Sequence, residues 1–102
     1  MSYSYISQMI SQRRYWEIWG SQDNVLSAIR RVCKEKRWRN IQPARATLRE
    51  IRNMLTEVEQ REYLPQLVSF GVVNEQRTVN STSYEVVEDK AEAFCVNRRI
   101  YL

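Results

Sequence analysis

Between Tyr63 and Val73 the sequence reads YLPQLVSFGVV: Leu64 and Leu67 keep a helical spacing up to Gly71, and two valines follow at once. The whole chain has only two glycines and two prolines, so this junction is the strongest constraint on its fold. A glycine can take the left-handed backbone conformation that ends a helix, and β-branched valines suit the extended chain that follows. The expected fold class is therefore α+β. Helices fill the N-terminal two-thirds, and a small antiparallel β-hairpin or three-stranded meander follows.

The helical part shows several start and stop signals. Ile6, Met9, Ile10 and Trp16 predict a first helix over residues 4–18, ending in Trp16 and Trp19 with Gly20 as the stop. Ser21 or Asp23 would then cap a second amphipathic helix with Val25, Leu26, Ile29, Val32 and Cys33 on one face and Arg and Lys on the other. Residues 43–62 admit two readings. Ala44, Leu48, Ile51, Leu55 and Val58 allow one long helix with Pro43 in its first turn. Thr47 with Glu50 and Thr56 with Glu59, however, both fit the capping box, which predicts two short helices with a turn near Thr56. Beyond Gly71, Val72 and Val73 open a strand, Asn74 to Ser83 reads as a polar loop, and Tyr84 to Glu88 as the returning strand. Asp89 and Glu92 form a third capping pair for a terminal helix, while Phe94 to Leu102 reads equally as a third strand.

Charge is unevenly distributed. The net charge is +4, but from Arg30 to Arg52 nine basic residues face only Glu35 and Glu50, a local balance of +7. From Asn53 onward five basic residues face eight acidic ones, a balance of −3. Clustered Lys and Arg release counterions from phosphates on binding, so one region is expected to face a polyanion; a solvated helical face is the competing explanation.

The element order is similar to that of the winged helix-turn-helix superfamily of DNA-binding domains. Leu48, Ile51 and Leu55 resemble the apolar positions of its second helix. Leu64, Leu67, Gly71, Val72 and Val73 resemble the end of its third helix entering the wing, across about residues 22–88. Length, hydrophobic content and the lack of a linker predict one domain over residues 1–102, and the resemblance divides it into an N-terminal helical extension at 1–21, a winged-helix-like core at 22–88 and a C-terminal helix or strand at 89–102. It also implies a third helix in the major groove and a wing on the neighbouring backbone. Here that helix carries Glu57, Glu59 and Glu62 against Arg61 alone, the wrong sign for phosphates. Nucleic-acid contacts are accordingly expected from Lys34, Lys36, Arg37, Arg39, Arg45 and Arg49, with Gln60, Arg61 and Gln66 on the third helix and Arg77 and Asn80 in the wing.

The function expected is a small DNA-binding regulator of transcription. KEKRWR and RRYW also interleave cations with aromatics, as single-stranded nucleic-acid binders do, although packing of Trp16, Trp19 and Trp38 between helices is the favoured reading. The alternative function is a protein-interaction module without nucleic acid. It would dock a protein partner or form a homodimer through its acidic third helix, the segment with Tyr3, Tyr5 and Trp16, or the end RIYL.

No catalytic role, metal or cofactor is expected: histidine is absent, Cys33 and Cys95 stand 62 positions apart among apolar neighbours, and no Gly-rich phosphate loop occurs. The first twenty residues fit neither a signal peptide nor a bilayer span. An intracellular, cytoplasmic protein without membrane contact is the expectation.

Overall fold

A computed structural model describes the backbone of residues 2–100 and the side chains of residues 14–98. It is α+β, with helices surrounding a small three-stranded antiparallel open sheet. The elements are α1 (Ser2–Trp38), β1 (Ala46–Thr47), α2 (Leu48–Ile51) with a 3-10 turn (Arg52–Met54), and a π-helical segment (Glu59–Tyr63) that continues into α3 (Leu64–Ser69). They are followed by β2 (Val73–Arg77), β3 (Thr82–Val86) and α4 (Glu88–Ile100).

The expected first and second helices are a single helix. Gly20 does not stop α1, because it keeps a negative φ and no left-handed residue follows until Asn40 (φ 57°), past the helix end. A Cβ at Gly20 would meet nothing within 4 Å. Glycine inside a helix costs about 0.5 to 1 kcal/mol relative to alanine. Gly20→Ala is therefore expected to raise stability by about that amount in a urea titration, whereas a true helix stop at Gly20 would make the same change destabilising.

The break within residues 43–62 is real, and the long-helix alternative is overturned. Thr47 caps α2 with a complete capping box: its amide reaches the Glu50 carboxylate at 3.0 Å and the Glu50 amide reaches the Thr47 hydroxyl at 3.3 Å. Leu55 is extended, and a second box follows, with the Thr56 amide 2.8 Å from Glu59 Oε1 and the Glu59 amide 3.1 Å from the Thr56 hydroxyl. The wide π turn precedes Pro65, which stands near the start of α3 and supplies no amide to the carbonyls of that preceding turn.

Gly71 ends α3 as expected, with φ 77°. The amide of Gly71 reaches the Val68 carbonyl and that of Val72 the Leu67 carbonyl, each at 3.0 Å, which is the paired bonding of a Schellman ending. Residues 74–83 are not a loop. Val73 pairs with Val86 and Arg77 with Thr82, leaving only Thr78 to Ser81 as the turn. The third strand is neither absent nor C-terminal: Ala46 and Thr47 pair with Tyr84 and Ser83, so the sheet order is β1-β3-β2 and not a meander. The terminal segment is helix, and it starts at Glu88, which puts Asp89 inside the first turn instead of at the cap.

One apolar core joins these elements. Val25, Leu26, Ile29 and Val32 of α1 meet Ile51, Leu64, Leu67, Val72, Val73 and Val86. A turn-by-turn stripe on α1 thus covers α2, the third helix and the sheet, while the opposite side of α1 is left to solvent. The buried guanidinium of Arg98 lies over the rings of Trp19 and Phe94 and bonds Gln22 and Asp23, which with the Arg30–Glu88 ion pair lays α4 along α1.

Candidate functional site

The cationic run from Arg30 to Arg52 is divided by the fold. Two of its members turn inward. Arg45 keeps only 13% of its side chain exposed and clamps the sheet: Nε donates to Ser83 Oγ, Nη1 to Glu85, and Nη2 to the Asn74 carbonyl and side chain. Lys36 donates to Glu50 at 2.6 Å and to the Arg45 carbonyl at 2.7 Å, joining α1 to β1 and α2. Burial is the largest single influence on Glu50 and acts upward. Its bonds from Lys36 and Thr47 outweigh that influence and hold the carboxyl below its ordinary value.

Other expected contacts are also engaged. Arg39 pairs with Glu35, Arg77 with Glu75, and Arg61 with Glu57 and, more loosely, Glu62. Gln60 donates to the carbonyls of Arg52 and Leu55, closing the turn ahead of the third helix. Gln66 accepts from Gln22. A cavity of about 470 Å³ between the third helix and the sheet has Leu64 and Tyr84 in its lining and the self-paired Glu57, Arg61, Glu75 and Arg77 around it. Burial, with Glu75 opposite, pushes the Tyr84 phenol up to about 12, so it stays protonated at neutral pH and is no base. Burial likewise pushes the Cys33 thiol up, where it donates to the Tyr84 carbonyl.

Lys34, Arg37 and Arg49 remain, exposed and without an ion pair among the described residues, as do Arg31 and Arg52. They fall on separate surfaces. Arg49 and Asn80 border a cavity of about 330 Å³ between the start of α2 and the β2–β3 turn. Arg31, Lys34 and Arg37 line an open trough along the solvent side of α1, together with Glu35 and Trp38. Lys36 and Arg37 sit in the last turn of α1, where cations suit the helix dipole; Arg31 and Lys34 lie before it and have no such explanation.

Sequence reasoning placed the three tryptophans between helices. Trp19 is partly covered by Arg98, but Trp16 is 60% and Trp38 87% exposed. Arg31 and Trp38 were the trough residues not singled out as site residues. Their signal was helical spacing: positions 31, 34 and 38 share one stripe, and that stripe falls on the outer face already expected for the helix after Ser21.

Among the described residues no group of His, Cys, Asp and Glu is placed to hold a metal ion, and no helix is long and apolar enough to cross a membrane. Tyr3, Tyr5 and the end RIYL lie outside the described side chains. No known protein family, curated protein or solved structure matches this chain.

Proposed function

We propose that the chain is a small nucleic-acid-binding protein, a regulator of transcription in the winged helix-turn-helix manner, which meets its polyanion with the outer face of α1. The element order α1-β1-α2-α3-β2-β3, with β1 beside β3 and a tight turn at the end of a hairpin, supports the scaffold. The observation that carries the binding reading is the trough: Arg31, Lys34 and Arg37 project into solvent with no carboxylate paired to them among the described residues. An exposed row of cations of this kind attracts phosphate by counterion release.

The third helix is not the reader in this proposal. Its amides are bonded internally and its arginine is held by its own glutamates, so groove contacts there would first have to break those bonds. Arg49 and Asn80 form a lesser second contact beside the hairpin turn. The role is one of binding, not catalysis, and it carries with it an intracellular, cytoplasmic location.

A fluorescent duplex of arbitrary sequence, titrated at rising salt, tests the reading. Three phosphate contacts give a slope of log affinity against log salt near −2.7, about 0.9 per contact. Reversing all three charges (Arg31→Glu, Lys34→Glu, Arg37→Glu) is expected to abolish binding. Absence of binding by the unaltered protein at low salt, to duplex and single strand alike, rejects the proposal.

A second reading has one observation in its favour. Tyr15 and Trp16 are exposed on the part of α1 that precedes the core residues, and an exposed aromatic pair is a contact for a protein partner or for a second copy in a homodimer. A doubling of sedimenting mass that Trp16→Ala removes would favour it.

A further inference from the structure

We propose that Trp38 is a base-stacking platform and that the strand bound along the α1 trough is single-stranded nucleic acid. The inference rests on the nucleic-acid reading above and narrows it. An indole is a large apolar group that folding normally covers, yet Trp38 is 87% exposed at the last residue of α1, two residues beyond the last side chain of that helix with core-side bonds, Lys36. The chain turns away immediately through Arg39 and the left-handed Asn40, whose amides close onto the Glu35 and Arg37 carbonyls. With so little of its surface covered, the ring adds little to the packing of the described residues.

Its surroundings point to one kind of ligand. Arg31, Lys34 and Trp38 stand at intervals of three and four on one helical stripe, with Arg37 flanking. At about 1.5 Å rise per residue they span about 10 Å along the helix. The acid in the trough, Glu35, is held by Arg39 at 3.1 Å, so its charge is compensated beside the path of the phosphates. Cations that track a backbone beside an aromatic face are the two elements of single-strand recognition.

A duplex cannot use the second element. Its base faces are covered by neighbouring base pairs, and it offers a convex helix only groove edges and phosphates. A single strand exposes those faces, and stacking accepts any base because every base has a π face. The cations therefore serve both forms of nucleic acid, whereas the ring serves only the open one.

The test compares oligo-dT of about 10 nucleotides, within the usual span of single-strand sites, with a duplex of similar length by fluorescence anisotropy at one low salt concentration. Trp38→Ala is expected to leave the circular dichroism and melting temperature unchanged and to weaken oligo-dT binding about ten-fold, the range of one base–aromatic stack, while duplex affinity stays the same. Trp38→Phe is expected to recover most of the loss. Two outcomes overturn the inference while the broader reading stands: equal oligo-dT affinity for Trp38→Ala and the unaltered protein, or an equal loss on duplex. Self-association of the free protein that Trp38→Ala abolishes also overturns it, by making the ring a contact between copies. Failure of both nucleic acids to bind removes the broader reading as well.

Discussion

Leu67→Ala is expected to lower the free energy of unfolding by about 3 to 5 kcal/mol, the upper part of the range for a leucine deleted from a close-packed interior. Leu67 has no exposed surface and belongs to the cluster in which α3 meets α1 and β2. Its backbone carbonyl also receives the Val72 amide that closes the α3 ending. The surrounding residues are therefore tied in place and have little freedom to fill the void. The midpoint of urea unfolding is the measurement, taken with the slope to confirm that the unfolded state is unchanged. A loss under about 1.5 kcal/mol would mean that the site collapses readily and that the core is looser than its burial indicates.

The second large effect is expected at a charged residue. Glu59 is 4% exposed, yet one of its oxygens accepts from two sources: the Thr56 amide at 2.8 Å and the Asn24 side-chain amide at 2.9 Å. The first bond closes the capping box of the third helix, and the second ties that helix to α1. Truncation to alanine removes the cap and takes one acceptor from the part-buried Thr56 and Asn24 amides, the latter keeping the Met54 carbonyl, a cost of about 2 kcal/mol against about 1 for Thr56→Ala. Glu59→Gln keeps an acceptor of the same shape and is expected to lose less than half as much. A double-mutant cycle with Asn24→Ala isolates the inter-helix part, and a coupling near zero there would leave Glu59 only a local cap.

Both effects bear on function through geometry. The trough on α1 exists because the other side of that helix is committed to the core, so loosening α3 or the Glu59 contact acts on the cations only by unfolding. Substitutions at Arg31, Lys34, Arg37 or Trp38 act in the opposite way, on binding with little change in stability, since exposed positions rarely matter to folding. This separation makes the binding experiments interpretable.

Residues 47–59 and 64–73 were legible in the sequence because their signals are local. A capping box needs only a threonine and a glutamate three positions apart, and a Schellman ending needs only a glycine where φ turns positive. At Gly20 the same kind of reasoning failed. A glycine punctuates a helix only if the chain has reason to turn there, and the residues on both sides of Gly20 continue one helix. The strand at Ala46 and Thr47 was also missed, since two residues carry no periodicity and exist as a strand only by pairing with Tyr84 and Ser83.

The sequence by itself determined that helices lead into a hairpin, that the third helix ends at Gly71, and that positive charge gathers between Arg30 and Arg52, while two readings of residues 43–62 left the start of that helix open. Which of those charges faces water was decided by the tertiary structure alone. Arg45 meets partners 29 to 40 positions away and Lys36 meets Glu50 14 positions away, while Arg31, Lys34 and Arg37 meet none among the described residues. A bond closed within three or four residues is written into the chain, but an ion pair across the fold depends on which surfaces the core brings together.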